Sequence, residues 1–265
     1  MSVQTEIDRI ITAVGAAYDA VEAKGGTAPA AQTLEGLAGA ISGIKSAPAT
    51  PYMVAEYEQE PMTAYESASF IKKAKLYNHT RIAAYEFAQQ HLLQELDMSD
   101  PSNNITTIDA NAFAYSACEN VIIPETVTLI GNTAFSSASI GTMILPGSVT
   151  RISSFAFQGV SGVNGVAPVV KLNEGLAVID QSAFNGASIA GEIEIPSTVT
   201  KIGEYCFAYA NITTVICQAT TPPALESGAF TSDTAGFTIK VPAASVAAYK
   251  AADGWKDYAN YIVAM

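Results

Sequence analysis

The sequence predicts an elongated solenoid that is mostly β, in which short strands stack in parallel and are joined by turns and short helices. An N-terminal helical region precedes the solenoid and a C-terminal helical cap closes it. Two observations predict this fold. A segment with isoleucine five residues before phenylalanine recurs along the 265-residue chain, and a short β-branched run follows most copies. A unit of about 23 residues cannot bury its own apolar faces, so the units must stack on one another.

The phenylalanine segments align without gaps in six copies. The distance between successive phenylalanines is 22–27 residues, within the range of roughly 20–29 residues that is typical of leucine-rich repeats. A seventh, degenerate copy places Leu225 before Phe230. The six regular pairs are Ile82/Phe87, Ile108/Phe113, Ile130/Phe135, Ile152/Phe157, Ile179/Phe184 and Ile202/Phe207.

The second element of each unit is a short alternating run such as NVIIP, TMILP, EIEIP or TIKVP, which indicates a strand that ends at proline. Alternation predicts pairs of inward side chains: Val121/Ile123, Met143/Leu145, Val170/Leu172, Ile193/Ile195, Val215/Cys217 and Ile239/Val241. The side chains between them are expected to point outward. We call these the outer row and predict that they form the partner-binding surface: Ile122, Ile144, Lys171, Glu194, Ile216 and Lys240.

A second outward row lies beside the outer row. Its predicted members are Asn120, Thr142, Val169, Glu192, Thr214 and Thr238. One interval between phenylalanines is long because it holds an insertion, 159–169, whose glycines and proline predict a protruding loop. Either the outer row or this loop is the candidate contact surface.

The repeat pattern resembles a known family. The segments IPETVTLIGNTAF (123–135), LPGSVTRISSFAF (145–157) and IPSTVTKIGEYCF (195–207) are similar to BspA-like leucine-rich repeats, which occur in bacterial surface proteins and in bacteriophage structural proteins. The resemblance covers residues 71–242. It implies a leucine-rich-repeat solenoid that presents a binding surface, with a host cell-surface receptor, protein or glycan, as the expected partner.

The N-terminal region, 1–46, has apolar residues at helical spacing. In the first predicted helix, isoleucine at both core positions of a heptad favours trimers. Two helices of this length need a partner surface, so the region is interpreted as an attachment and oligomerisation element, or else as a hairpin packed on the first repeat. The residues expected to form the contacts are Ile7, Ile10, Val14, Val21, Leu34, Leu37 and Ile41.

This N-terminal region also resembles the N-terminal segments of phage tail and fibre proteins, in TEIDRIITAVGAAYDAVEAKG followed by TLEGLAGAISGI. The resemblance implies contact with other virion proteins. Residues 47–70 are interpreted as a linker, in which AEYEQEP (55–61) forms either a solvated strand or a linker. At the other end, 243–265 is predicted to be a helical cap whose Trp255, Tyr258, Tyr261 and Ile262 cover the last repeat.

The composition narrows the possible functions. Only 14% of the residues are charged, against about 25% in an ordinary soluble domain, while 49% are hydrophobic. A net charge of −12 argues against nucleic-acid binding, which needs clustered basic side chains. No nucleotide-binding, zinc-protease or hydrolase motif occurs, and we expect no catalytic residue, cofactor or metal.

The few reactive side chains have structural interpretations. We expect His79 to be structural and His91 to be exposed. The three cysteines, Cys118, Cys206 and Cys217, are interpreted as small buried hydrophobes. Asp97 to Asn104 carries oxygen ligands but lacks the pattern of an EF-hand calcium loop.

These observations lead to a functional hypothesis. Residues 1–11 lack the basic start and the apolar run of a secretory signal, and no run of 18 or more apolar residues occurs, so we expect neither signal-directed export nor a transmembrane helix. Together with the two resemblances, this favours a non-enzymatic bacteriophage virion protein, of tail-fibre, receptor-binding or decoration type, assembled in the host cytoplasm. The alternative is a bacterial BspA-like surface adhesin. A glycan-active enzyme on a repeat scaffold is the third hypothesis, which we disfavour because Glu192 and Glu194 alternate along one strand.

Overall fold

A computed structural model describes residues 52–59, 69–189, 191–230 and 236–265 of the chain. The predicted helices within 1–46 lie outside these residues. The described part is a stack of repeated turns, most of which add one strand to each of two parallel ladders. The first ladder has seven strands, which begin at the isoleucine segments. They are β3 (Arg81–Ile82), β5 (Thr107–Ile108), β8 (Leu129–Ile130), β11 (Arg151–Ile152), β14 (Val178–Ile179), β16 (Lys201–Ile202) and β18 (Ala224–Leu225).

The second ladder carries the outer row and is divided into three sheets. The first sheet contains β1 (Tyr52–Gln59), β2 (Ser69–Tyr77), β4 (Glu95–Asp97) and β7 (Asn120–Val121). The second contains β10 (Thr142–Ile144) and β13 (Val169–Lys171). The third contains β15 (Gly191–Ile195), β17 (Ile212–Cys217), β19 (Thr238–Val241) and β20 (Ile262–Ala264).

A further, small sheet runs along another edge of the turns. It consists of β6 (Ala117–Cys118), β9 (Ser139–Ile140) and β12 (Ser161–Gly162), paired in parallel. β12 and a 3-10 turn, Val163–Gly165, belong to the insertion predicted as a loop. The insertion therefore starts as part of the repeat and protrudes only at its tip, where residues 164–167 are exposed.

A continuous stack of phenylalanine rings fills the core. Ring centroids of successive turns lie 4.8–5.6 Å apart from Phe87 to Phe230, and neighbouring rings are within 9° of parallel. The isoleucine that precedes each phenylalanine is buried as well, as are all twelve inward strand side chains predicted from alternation. The sequence prediction of the core is thus confirmed.

The backbone around each phenylalanine repeats an unusual conformation. In the six regular copies, the residues two before and two after the phenylalanine have positive φ, as in Thr133 (53°) and Ser137 (55°) around Phe135. The N–H groups of Thr133, Phe135 and Ser137 all point towards the next turn. Each donates to a carbonyl of the next turn, at 3.1, 2.7 and 2.8 Å. These hydrogen bonds between successive turns satisfy backbone groups that take no part in β pairing.

The C-terminal segment closes the stack as predicted, but with less helix. It contains a 3-10 turn (Ala243–Ser245), one short helix, α1 (Val246–Ala251), a second 3-10 turn (Trp255–Tyr258) and the strand β20. The Tyr258 hydroxyl accepts the N–H of Phe230 at 3.2 Å and donates to its carbonyl at 2.9 Å. The Tyr258 side chain therefore ends the row of backbone hydrogen bonds at the phenylalanines, which we call the phenylalanine ladder. The strand β20 was missed by the sequence analysis.

Of the two alternatives given above for AEYEQEP (55–61), the structure has a strand over 55–59. Part of the stretch interpreted as a linker, 47–70, is the strand β1, which pairs antiparallel with β2 from Tyr52↔Tyr77 to Gln59↔Ser69. The hairpin continues into the parallel ladder, because β2 pairs with β4. The reason is that Ala55 and Met53 pack against the buried core. A strand with one apolar face can join the sheet even when the residues that alternate with its apolar side chains are charged.

Candidate binding surface

The outer row lies on the outward side of the second ladder. Ile122 and Ile144 are 82% and 52% exposed, which is unusual for large aliphatic side chains. Lys171 and Glu194 are also exposed, whereas Ile216 and Lys240 are half-buried. In the second row, Thr142, Val169 and Glu192 are exposed, Thr214 and Thr238 are half-buried, and the side chain of Asn120 lies outside the description. The outward orientation of these rows agrees with the sequence prediction.

Strand register determines which outer-row residues are neighbours. Ile144 pairs with Lys171 across β10 and β13. Glu194 pairs with Ile216, and Ile216 with Lys240, across β15, β17 and β19. Neighbouring strands lie about 4.8 Å apart, so each set forms one contact patch.

The outer row extends further at both ends than the sequence analysis predicted. Lys240 pairs with Val263 of β20, which is 42% exposed. This residue was missed because nothing in the terminal segment repeats the strand pattern of earlier units. At the other end, Lys75 of β2 pairs in register with Asp97 of β4. Because Leu96 pairs with Val121, Asp97 occupies the position that corresponds to Ile122, and both residues extend the outer row.

Ion pairs lie at the N-terminal end of this surface. Lys73 Nζ lies 3.0 Å from Glu95 Oε2, and Lys75 Nζ lies 3.3 Å from Asp97 Oδ2. Hydrogen bonds from the Ser99 hydroxyl and N–H, with a smaller contribution from Lys75, hold the pKa of Asp97 below its usual range. These contacts fix the directions of the carboxylates at the point where β4 ends.

The insertion, 159–169, forms the other candidate contact surface. Val166 is exposed at its tip, and Val166 N–H donates to Val163 O at 3.0 Å to close the turn. A groove of about 460 Å³ runs between this tip and the adjoining turns, and is lined by Ser188, Ile189 and Asn211 among others.

The histidines occupy the positions expected of them. His79 is buried, with Nδ1 3.0 Å from Tyr77 O and Nε2 3.0 Å from Glu86 Oε1. The second Glu86 oxygen accepts the N–H of Ala83 at 2.7 Å. This arrangement closes the first turn of the solenoid, so the structural interpretation of His79 is confirmed, and His91 is exposed as predicted.

Two cysteines are buried thiols. Cys206 and Cys217 are free, and burial raises the pKa of both. The hydroxyl of Tyr249 lies 3.2 Å from Cys217 Sγ and donates to Ala219 O at 2.8 Å, and burial raises the pKa of Tyr249 as well. Both cysteines thus pack as small apolar residues, as predicted. The side chain of Cys118 lies outside the description.

The oxygen-rich segment after β4 makes internal hydrogen bonds. Asp97 and Asp100 accept bonds from Ser99 and Ser102, and the Asn103 amide donates to Leu76 O and Met98 O. Among the described residues, no group of three or more His, Cys, Asp or Glu side chains is arranged to hold a metal ion. Within the same ranges, no helix is both long and apolar enough to cross a membrane.

Comparisons with known proteins identify the repeat. The family model for the BspA type leucine rich repeat region (6 copies) matches residues 80–212 and 166–247, which together exceed half of the chain. A leucine-rich repeat protein of Bacteroides ovatus, known from a crystal structure, is 14% identical. The alignment has a TM-score of 0.39 and covers 71% of this chain and 64% of that one. No curated protein matches. On the strength of the family match, the chain belongs to the BspA type leucine-rich repeat family.

Proposed function

We propose that this protein is a non-enzymatic binding protein that uses the outward face of its second ladder to attach to a cell surface, as a bacterial adhesin of BspA type. The observation that carries the proposal is the exposure of Ile122 and Ile144 at corresponding outward positions of successive turns. Exposed apolar patches on an otherwise well-packed protein mark interaction sites. Family membership supports the same conclusion, because repeat solenoids present surfaces for binding.

The contacts of the reactive groups support a non-enzymatic role. His79 is engaged at both ring nitrogens, and the thiol of Cys217 is buried beneath Tyr249. Residues that serve in acid–base or nucleophilic catalysis need access to a substrate.

A direct binding test addresses the proposal. Full-length protein labelled with a fluorophore is added to bacterial and mammalian cells, and bound fluorescence is measured by flow cytometry. The variant Ile122→Asp/Ile144→Asp should lose most of the binding shown by the wild type. The matched control is Tyr85→Asp/Tyr115→Asp, which introduces the same charges at exposed positions beside the phenylalanine ladder. Equal binding by the wild type and both variants would remove the outer row from the site.

A virion role remains the second candidate, because the segment 1–46 resembles phage tail and fibre proteins. In that case the N-terminal helices would attach to other virion proteins and form a homo-oligomer, with a trimer favoured. The gene neighbourhood separates the two candidates, since capsid and tail genes alongside would favour the virion. Light scattering tests the oligomer, and a monomeric full-length chain would contradict it.

A further inference from the structure

A groove opens between two successive turns at the N-terminal end of the second ladder. It has a volume of about 860 Å³ and is lined by residues 94–99 of one turn, by Glu119 and 122–125 of the next, and by Lys73 of β2. Pockets that hold ligands have volumes of about 300–1,000 Å³. The groove is therefore large enough to receive several side chains of a partner.

Strand register explains why the groove forms. β4 pairs with β7 at only two positions, Glu95↔Asn120 and Leu96↔Val121. β15 and β17, in contrast, pair from Gly191↔Ile212 to Ile195↔Cys217. Beyond Leu96 the two chain paths separate, and the Asp97 carboxylate accepts hydrogen bonds from Ser99 at 2.9 and 2.6 Å. The groove therefore results from the separation of these two backbone paths.

The floor of the groove is apolar and one wall is an exposed aliphatic side chain. Leu96, Met98 and Ile123 are buried beneath the opening, while Ile122 stands beside it with most of its surface in solvent. The lining contains no aromatic side chain. Aromatic side chains commonly stack on sugars. The lining therefore suits aliphatic groups better than a glycan.

The rim is acidic. Glu95, Asp97, Glu119 and Glu125 line the groove with a single lysine, Lys73, which already lies 3.0 Å from Glu95. Lys75 pairs with Asp97 from outside the groove. In the described ranges, neither Glu119 nor Glu125 takes part in an ion pair. Among the described residues, two carboxylates on the rim thus face solvent without an ion-pair partner.

From these features we infer that the groove binds a polypeptide segment of the receptor in which aliphatic side chains are flanked by lysine or arginine. The aliphatic groups would contact Ile122 and the apolar floor, and the cations would meet Glu119 and Glu125. Charge complementarity at the acidic rim favours a basic partner segment over a second copy of this chain, whose net charge is −12. The inference rests on the proposed binding function and specifies the chemistry of its partner.

The probe is a fluorescein-labelled peptide with a core of alternating lysine and leucine between glycine–serine flanks. Binding to the full-length protein is followed by fluorescence anisotropy. We expect saturable binding that weakens as salt is raised, because exposed charges are screened. Comparison peptides with glutamate in place of lysine, or serine in place of leucine, should bind at least about tenfold more weakly.

Variants locate the binding site. Glu119→Gln/Glu125→Gln should weaken peptide binding about tenfold and reduce its salt dependence. The matched control, Asp253→Asn/Asp257→Asn, changes the net charge equally at exposed positions of the C-terminal segment and should leave binding unchanged. Ile122→Asp should weaken binding by about tenfold or more, whereas Ile144→Asp, on the next turn, should have little effect on this peptide.

The outcomes separate the inference from the proposed function. If the cells bind the protein but the lysine–leucine peptide does not, the inference about the groove is overturned and the adhesin proposal stands. If the peptide binds equally to Glu119→Gln/Glu125→Gln and to the charge-matched control, the groove is also excluded as its site. Loss of both peptide and cell binding in Ile122→Asp, with its fold intact by circular dichroism, would support the two together.

Discussion

Removal of one ring from the middle of the phenylalanine stack should destabilise the solenoid more than any exposed substitution. Phe135 is fully buried, and its centroid lies 4.8 Å from that of Phe113 and 5.1 Å from that of Phe157. A buried phenylalanine replaced by alanine costs about 3–5 kcal/mol of unfolding free energy. Both neighbours are nearly parallel rings that cannot rotate into the space, so we expect Phe135→Ala to fall at about 4–5 kcal/mol.

The assay is urea unfolding followed by far-ultraviolet circular dichroism. Phe87→Ala provides an internal comparison, because among the described residues Phe87 stacks on one ring, Phe113 at 5.3 Å, and should lose about 1 kcal/mol less than Phe135→Ala. Tyr115→Ala, at an exposed site, should change the unfolding free energy by less than about 0.5 kcal/mol. A loss below about 1.5 kcal/mol for Phe135→Ala, with an unchanged slope against urea, would refute the argument that the stack supports the fold.

Three further predictions follow from the backbone and its charges. Gly175 has φ +112° and its added Cβ would overlap the carbonyl of Gly147, so Gly175→Ala should lower the unfolding free energy by about 2–4 kcal/mol. Gly165→Ala, at φ +77° in open space, should lose only about 1 kcal/mol in the same urea titration, and equal losses would contradict the steric argument. Tyr258→Phe removes the hydroxyl that bonds both backbone groups of Phe230, and should cost about 1–3 kcal/mol. Faster amide exchange at Phe230 would accompany this loss, and unchanged exchange would argue against the cap. The pKa of Asp97 is lowered in the folded state, mainly by Ser99, so its contribution to stability is present above the ordinary aspartate pKa of about 3.9 and is lost as the pH falls below it. The thermal midpoint of Asp97→Asn should therefore decline less than that of the wild type between pH 5 and 3, and parallel declines would contradict this assignment.

Much of the solenoid was predictable because its pattern is local and periodic. The spacing from Ile130 to Phe135 recurs in every turn, and a turn contacts mainly its two neighbours. Register errors by one residue would turn Met143 and Leu145 outward and Ile144 inward, so alternation alone determines which side chains enter the core. For the same reason the direction of the outer row could be predicted before any contact was known.

The ends and the breaks of the ladders could not be predicted in this way. β1 reads as a charged stretch and β20 follows a turn with no repeat motif, yet both are strands because a free sheet edge supplies their hydrogen-bond partners. The groove beside Ile122 depends on how far β4 and β7 remain paired, a property of two chain paths that are 25 residues apart in the sequence.

The sequence by itself determined the repeat, its core and the orientation of its surface rows, because these follow from periods of two residues and of one turn. Only the tertiary structure decided where pairing stops, which strands complete the edges, and how the Tyr258 hydroxyl ends the phenylalanine ladder. Those features arise from contacts between segments that share no sequence pattern. The physical reason is that edge pairing and gap formation depend on the positions of partner atoms, which a local period does not encode.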